Sequence, residues 1–184
     1  MNNEMDLILL LFEGHDLHNQ KHAQKTAIFA EMIAEELKMS EDEIEILKQG
    51  ALLHDVGKYE TKKFVPKTGW TFYQHEHVGG KKVKEIGKRL RLSKKDINYL
   101  AKIVRWHQQP VSLMDEGITD SAVRRLIVKL GDDLDDLLIL GVSDITTGNP
   151  YKLKKRQNNY KRLKKRIEEV IEKDKMREFQ SPVR

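Results

Sequence analysis

Four histidines and two aspartates stand where apolar helical stripes end in this sequence: His22, His54, Asp55, His75, His107 and Asp144. For example, Ile44, Leu47 and Ala51 recur at helical spacing, and the next inward position is His54. Burying a carboxylate or an imidazole without a partner is energetically costly. A divalent metal ion removes that cost, because imidazole and carboxylate are among its usual ligands. The spacing therefore predicts a metal centre inside a helical bundle.

The same periodicity predicts which of the remaining histidines are exposed and which face of the first helix is buried. The predicted inward stripe of that helix runs backward to His22 from Leu37, Ile33, Phe29 and Thr26. His77 falls on a lysine-rich helix face, so we predict that it is solvated. His15 and His18 share the spacing of His22; we favour a structural role for both, and a ligand role stays open.

Composition restricts the chemistry further. The chain has 184 residues, 39% hydrophobic and 34% charged, which suits one helix-rich domain. It has no cysteine, which excludes a disulfide framework, a thiolate zinc site and a cysteine nucleophile. The net charge of +5 mildly favours anionic partners. The apolar run 7–12 is too short to span a bilayer and follows acidic residues, so we expect a cytoplasmic protein without a membrane contact.

The elements that position these side chains are mainly helices. Periodicity and capping residues predict helices over about 20–38, 41–57, 76–90, 94–106, 120–146 and 151–173, with a loop at 114–119. Ser40 and Glu43 have the capping-box pattern, and Ser93 is predicted to cap another helix. The Gly79–Gly80 pair predicts close packing beside His75. We expect a single all-α domain over 1–184, with its core at about 16–173 and a frayed tail at 175–184.

Residues 63–73 break the helical period and predict a small β-hairpin insertion with a Gly-containing turn. The hairpin carries Trp70 and Tyr73. We predict that these rings pack the hairpin down onto the domain; the alternative is that they stack on a base beside the site.

Several segments around the histidines and aspartates resemble the family of HD-domain phosphohydrolases. The clearest is Ala-Leu-Leu-His-Asp-Val-Gly-Lys at 51–58. The closing segment, Ser-Asp-Ile-Thr-Thr-Gly-Asn-Pro, is similar in particular to the HD domain attached to bacterial tRNA nucleotidyltransferases that add CCA. The resemblance selects His75 rather than His77 and covers about 16–173. In order, the matching positions and segments are 22, 51–58, 71–80, 104–107 and 143–150.

The resemblance implies an all-α HD bundle that acts as a metal-dependent phosphohydrolase with one or two divalent ions (Mn, Fe, Co, Ni, Zn or Mg). In the two-metal version, one ion would be held by His22, His54, Asp55 and Asp144. Asp55 would bridge to a second ion held by His75 and His107; if those two histidines were structural, the site would hold one ion. A metal-bound hydroxide would attack the phosphate ester, without a nucleophilic side chain.

Two cationic side chains are candidates for binding a substrate phosphate. Lys58, just past the end of its helix, is placed to meet a phosphate oxygen, and we assign it a catalytic role together with Asp55. Its alternative is a simple complement to the helix dipole. Arg105, two residues before His107, is the weaker candidate for binding the substrate.

The predicted reaction is hydrolysis of a phosphate ester in a nucleotide or an RNA end, by a phosphomonoesterase or a 2′,3′-cyclic phosphodiesterase. One alternative is pyrophosphate cleavage in a dinucleoside polyphosphate or a similar alarmone. Another is a catalytically idle RNA-binding accessory protein. Nucleotidyl transfer is not expected, because the paired aspartates at 132–133 and 135–136 fall within a helical pattern rather than on strands.

The run 152–166 contains nine basic and no acidic residues. We predict a solvated helix face; the alternative is a salt-sensitive RNA contact close to the metal site.

Overall fold

The computed structural model describes residues 17–114 and 118–180. In this part of the chain an all-α bundle carries one antiparallel β-hairpin, as the sequence predicts. None of the described helices is long and apolar enough to cross a membrane. In chain order the elements are α1 (Leu17–Glu36), α2 (Glu41–Leu53), α3 (Lys58–Thr61), β1 (Lys63–Val65), β2 (Gly69–Thr71), α4 (His75–Arg89), α5 (Lys94–Trp106), α6 (Gln109–Ser112), α7 (Asp120–Leu130), a 3₁₀ turn (Gly131–Asp133), α8 (Leu134–Ser143) and α9 (Pro150–Gln180).

The hydrophobic core lies where α2, α5, α7 and α8 meet. Each fully buried leucine or isoleucine contributes about 1.5–3 kcal/mol relative to an exposed one. Several of these residues stand just before the candidate site residues in the sequence, so the packing of the core fixes the backbone positions from which the site side chains extend. The large side chains that are fully buried include Leu47, Leu52, Leu53, Leu100, Ile103, Leu126, Leu130, Leu137 and Leu140.

The predicted inward stripe of α1 is wrong in two members. Phe29 is 47% exposed and Leu37 is 58% exposed. The buried residues of α1 are small, namely Thr26 and the alanines Ala23, Ala27, Ala30 and Ala34. Small side chains let α1 pack closely against α2 and α8. The prediction failed because it gave weight to large apolar residues, whereas the tightly packed face of this helix accommodates only small ones.

The long helix predicted over 120–146 is interrupted at Gly131. Its φ of 56° and ψ of −127° lie outside the helical region and are readily adopted only by glycine. A 3₁₀ turn follows, and α8 then packs against α1 and α2 as well as α7. Because α8 has its own direction, its C-terminal end brings Asp144 to the other candidate ligands.

Two predicted helix caps are confirmed, whereas some predicted helix ends are wrong. The Ser40 N–H donates to Glu43 Oε2 at 2.8 Å, and the Glu43 N–H donates back to Ser40 Oγ at 3.4 Å. Ser93 caps α5 by accepting from the Asp96 N–H at 3.1 Å. α2 ends at Leu53 rather than near 57. α9 continues to Gln180, past the predicted end at 173 and through most of the segment expected to fray.

The hairpin lies between α3 and α4, where the sequence predicts it. Lys63 pairs with Thr71, Phe64 with Trp70, and Val65 with Gly69. Thr71 is buried and donates its hydroxyl to the carbonyl of Lys63 at 3.1 Å, which adds a side-chain hydrogen bond between the two strands of the hairpin.

The predicted packing of the hairpin aromatic rings is wrong. Trp70 is 60% exposed and Tyr73 is 73% exposed. The buried residue of the second strand is the small Thr71 instead, and the neighbouring rings remain accessible.

Candidate metal centre

Six side chains from five places in the chain converge in the folded structure. His22 comes from α1, His54 and Asp55 follow α2, His75 begins α4, His107 follows α5, and Asp144 follows α8. They form two groups, and within each group the candidate ligand atoms lie within 4.8 Å of one another. The groups are His22 with His54 and Asp144, and Asp55 with His75 and His107. The structure therefore brings together all six positions that the sequence singled out.

In the first group, the carboxylate of Asp144 faces two imidazoles. His22 Nε2 lies 2.9 Å from Asp144 Oδ1, and His54 Nε2 lies 3.4 Å from the same oxygen. The two rings meet edge to face with their centroids 5.2 Å apart. His54 is fully buried, and its Nε2 has no hydrogen-bond partner among the described residues. Such an orphaned nitrogen is a natural position for a metal bond.

In the second group, Asp55 lies between the two sets of histidines. Its Oδ1 is 3.2 Å from His75 Nε2 and 3.8 Å from His107 Nε2. Its other oxygen, Oδ2, is 3.2 Å from His54 Nε2 and 3.6 Å from His22 Nε2. One carboxylate oxygen thus faces each group, which is the geometry that a bridging ligand needs.

Backbone carbonyls orient three of the histidine rings. The Nδ1 atoms of His54, His75 and His107 each lie 2.7–2.8 Å from the carbonyl oxygen of the residue three positions earlier. A carbonyl oxygen only accepts, so each Nδ1 carries the proton and each Nε2 presents a lone pair to the cluster when its ring is neutral. A hydrogen bond from Nδ1 to a backbone carbonyl is typical of histidines that bind a metal through Nε2.

The contact between His75 and His107 shows why a cation fits here. Their Nε2 atoms are 3.2 Å apart. With both Nδ1 atoms protonated, two lone pairs would face each other beside Asp55 Oδ1, which is repulsive unless a proton or a metal ion lies among them. The donor set of imidazoles and carboxylates suits a divalent transition metal.

The pKa values of the cluster reflect the same need for positive charge. Burial lowers the pKa of His54, but the charges of Asp55 and Asp144 outweigh it and raise the pKa to about 10. Burial raises the pKa of Asp55, but His54, His75 and Lys58 together hold it well below its usual range. Burial, together with the charge of His54, lowers the pKa of His107 to about 4. The buried carboxylate of Asp55 and the half-buried one of Asp144 are thus balanced by positive charge on His54 and Lys58.

The two predicted cationic residues line an open cavity beside this cluster. Its volume is about 650 Å³, and His75 forms part of its wall. The Lys58 ammonium donates to Asp55 Oδ2 and lies 5.8 Å from the centre of the Phe72 ring. Arg105 lies 3.8 Å from Glu76 Oε1 and stacks on Trp106 at 4.6 Å. A phosphate in this cavity would therefore meet Lys58 and Arg105, each paired with a carboxylate, and the edge of the candidate ligand cluster.

Gly57 has a role that the sequence analysis missed. A Cβ atom at this position would lie 2.2 Å from the His75 carbonyl oxygen and 2.7 Å from the Gly79 nitrogen. The turn that carries His54 and Asp55 therefore rests directly on the start of α4. Gly80 packs against α5 less tightly, and a Cβ atom there would lie 3.2 Å from the Ala101 carbonyl oxygen. The predicted close packing at the glycine pair is confirmed.

The remaining histidines fall outside the cluster. His77 is exposed, as predicted. His15 lies outside the described residues, and so does the side chain of His18, in the first turn of α1. Gln108 and Gln109, which follow His107 directly, line the cavity and were not predicted. Their position next to a candidate ligand was the available signal.

Comparison with known proteins identifies the family. The family model of the HD domain matches residues 20–137 of this chain. The chain is also 33% identical over 100 residues to the A-adding tRNA nucleotidyltransferase of Deinococcus radiodurans. That alignment covers 54% of this chain and 22% of the relative, so the chain spans only a small part of that protein's length. HD domains are typically metal-dependent hydrolases, and the buried His/Asp cluster can hold a metal ion. The family match extends over more than half of the sequence, and this protein belongs to the HD domain family.

Proposed function

We propose that this protein is a divalent-metal-dependent phosphohydrolase that cleaves a phosphate ester of a nucleotide or an RNA end, either a phosphomonoester or a 2′,3′-cyclic phosphodiester. The observation that carries the proposal is the position of Asp55, with one oxygen facing each histidine group next to an open cavity that contains two cations. Divalent ions bound there would lower the pKa of water and neutralise phosphoryl oxygens.

The ligand assignment follows the two groups. His22, His54 and Asp144 would hold one ion, His75 and His107 would hold the other, and Asp55 would bridge them. The carbonyl hydrogen bonds to Nδ1 keep His54, His75 and His107 pointed at the ions. The buried orphan nitrogen of His54 and the facing nitrogens of His75 and His107 support both halves of this assignment.

Lys58 and Arg105 would bind the substrate phosphate. Lys58 already donates to Asp55, so its ammonium group lies where the cavity meets the cluster. Arg105 lines the same cavity from α5, with its guanidinium stacked on Trp106. Attack of water at phosphorus breaks the P–O bond to the leaving oxygen, and a cation beside the phosphate lowers the cost of the developing charge.

A nucleotide or RNA substrate is supported by the similarity to a relative that is an A-adding tRNA nucleotidyltransferase. It is also supported by α9. Lys154, Lys155 and Lys165 on this helix are exposed and form no ion pair within the described residues, whereas Arg166 pairs with Asp120. We include an RNA contact through 152–166 in the proposal. The same basic surface favours, as a second candidate, a catalytically idle RNA-binding accessory protein.

The test is an assay of the purified full chain after chelation and reconstitution with Mn, Fe, Co, Ni, Zn or Mg. Substrates would include nucleoside 2′-, 3′- and 5′-monophosphates, 2′,3′-cyclic phosphates and a dinucleoside polyphosphate. We expect metal-dependent turnover of a monophosphate or a cyclic phosphate. Asp55→Asn should abolish turnover and lower the metal content measured by elemental analysis, with circular dichroism as the folding control.

Three outcomes would contradict the proposal. Full activity of Asp55→Asn would show that the cluster is not the catalytic centre. Preference for the dinucleoside polyphosphate would support the pyrophosphohydrolase alternative. No turnover with any metal, together with RNA binding that weakens steeply with salt, would support the accessory protein.

A further inference from the structure

The cavity beside the six candidate metal ligands has an aromatic wall, which has no role in the proposed phosphate chemistry. Trp70, Phe72 and Tyr73 line it, and all three come from β2 or the residues directly after it. Trp70 is 60% exposed and Tyr73 is 73% exposed. Large exposed rings grouped beside a reactive site are typical of a binding surface, because their burial by a ligand is favourable.

The Trp70 ring is held in position on the hairpin. Phe64, its partner across the strands, meets it edge to face with centroids 5.4 Å apart and an interplanar angle of 73°. The Lys62 ammonium lies 5.0 Å from the ring centre. Neither Phe64 nor Lys62 lines the cavity, so both support the ring from elsewhere on the hairpin. A ring held in this way loses little entropy when a flat ligand stacks on it.

The other wall of the cavity is polar. Gln108 and Gln109 follow α5 and line the cavity together with the aromatic residues. A primary amide both donates and accepts hydrogen bonds, which suits the edge of a nucleobase. A ring on one side and amides on the other are the two contacts that hold an unpaired base in a protein.

A second, basic groove adjoins this cavity through Arg105, which lines both. Its volume is about 350 Å³, and the residues that line it include no carboxylate. Lys81 and Lys84 from α4 form no ion pair within the described residues, whereas Lys102 is paired with Asp133. The groove therefore presents uncompensated positive charge next to the aromatic wall, where a further phosphate of a nucleic acid strand would be attracted.

We propose that the hairpin is a base-stacking subsite and that the groove at Lys81 and Lys84 is a second phosphate subsite, so that the site binds the end of a single-stranded oligonucleotide of two or more nucleotides. This inference rests on the proposed function for the position of the scissile phosphate. The terminal base would stack on Trp70, and Arg105 would lie between the terminal phosphate and the next one along the strand.

The test measures binding rather than turnover. The probe is a fluorescein-labelled tetranucleotide with a free 3′-hydroxyl, which has no terminal phosphate to hydrolyse, prepared both as RNA and as DNA. Fluorescence anisotropy with the full-length, metal-loaded protein gives its Kd. Competition with a nucleoside monophosphate whose ester oxygen is replaced by a methylene group, so that it is not hydrolysed, gives the Kd of a single nucleotide. Comparison of the two probes shows whether the 2′-hydroxyl contributes.

Two variants separate the subsites. Trp70→Ala should weaken binding of the tetranucleotide and of the monophosphate alike, each by about 10-fold. The double variant Lys81→Ala/Lys84→Ala should weaken only the tetranucleotide and should reduce the salt dependence of its Kd. The matched control is Lys88→Ala/Arg89→Ala, which removes two exposed charges from the same helix outside the groove and should bind as wild type does.

The inference is overturned if Trp70→Ala binds both ligands as wild type does, or if the Lys81/Lys84 variant behaves like its control. Failure of the proposed function gives a different pattern. In that case no phosphate ester is hydrolysed with any metal, while the tetranucleotide still binds and still responds to the two variants as described.

Discussion

The orientation of single side chains decides what the buried cluster can do. His54, His75 and His107 are each fixed by a hydrogen bond between Nδ1 and a carbonyl one helical turn earlier, which leaves Nε2 for the cluster. When these rings are neutral, as metal ligation requires, their lone pairs converge around the two oxygens of Asp55. Their repulsion makes a cation the natural occupant, and replacing one ligand changes the charge balance of the whole group.

Substitution of the two histidines on α4 tests whether the cluster binds a metal ion. We expect His75→Ala to lose most of the activity, at least about 100-fold, and to reduce the number of ions bound per chain, because His75 is one of three candidate ligands in its group. His77→Ala is the control for metal content, since His77 is exposed on the same helix and lies outside both candidate ligand groups. Elemental analysis and the rate of phosphate release are the measurements. Equal metal content in the two variants would remove His75 from the ligand set.

The secondary-structure elements act mainly through their ends. α2, α5 and α8 each finish within a residue or two of a candidate ligand, and α4 begins with one. The turn after α2 approaches α4 so closely that only glycine fits at position 57. This contact places Asp55 next to His75, although 20 residues separate them along the chain.

The substitution Gly57→Ala tests this contact. Gly57 has φ −82° and ψ −8°, which alanine adopts without strain, so the only cost is the clash of Cβ with the start of α4. We expect a loss of about 1–3 kcal/mol in the free energy of unfolding and weaker metal binding, because the turn must move away from His75. Thermal unfolding and metal titration measure the two effects.

Gly148→Ala is the matched control for that substitution, because a Cβ atom there would have no neighbour within 4 Å. It should leave both stability and metal affinity close to wild type. If Gly57→Ala also behaves as wild type, the close contact does not position the site.

At the scale of the whole molecule, α9 is fastened to α7 by ion pairs away from the site. Arg124 donates to both oxygens of Asp174, at 2.6 and 2.7 Å. Asp120 pairs with Arg166 and, at 3.3 Å, with Lys173. The hydrogen bond from Lys173, together with the charge of Arg166, lowers the pKa of Asp120. The hydrogen bond from Arg124 likewise lowers the pKa of Asp174.

These lowered pKa values predict how stability depends on pH. A carboxyl group whose pKa is lower in the folded state stabilises the fold above its ordinary value of about 3.9, and this contribution is lost as pH falls through the folded-state value. Asp120→Asn/Asp174→Asn should therefore lower the melting temperature by a few degrees at neutral pH, and the difference from wild type should shrink as pH falls below about 4.

The control for the pH series is Glu168→Gln, which alters an exposed acid on α9 that has no ion pair within the described residues. Its melting curve should follow wild type at every pH. A constant difference between wild type and the double variant down to the lowest pH would exclude these ion pairs as its cause.

Much of the local structure and all six cluster positions could be predicted from the sequence. The capping pairs at Ser40 and Ser93 act over three residues, so local spacing is enough to find them. The hairpin could be predicted because Gly69 and its neighbours interrupt the helical period of the sequence. The histidines and aspartates stood out because polar residues at the end of an apolar stripe are costly unless they have partners.

Other features depend on contacts between distant segments and needed the tertiary structure. The buried face of α1 depends on how closely α2 and α8 approach it. The alanines are buried in place of Phe29 and Leu37 because only small side chains fit at that distance. A single glycine is also tolerated within a continuous helix, so Gly131 alone does not predict a break. The break follows from the packing of α8 against α1 and α2, which requires α8 to change direction after α7. Trp70 is exposed because its strand neighbour Thr71 is buried, and successive side chains of a strand point to opposite faces.

The amino-acid sequence by itself determined which residues form the cluster, because residue type and helical period are local properties of the chain. Only the tertiary structure decided that Asp55 has one oxygen facing each histidine group and that an aromatic wall and a basic groove adjoin it. The physical reason is that distances between helix ends depend on how whole helices pack, and no single segment of the chain contains that information.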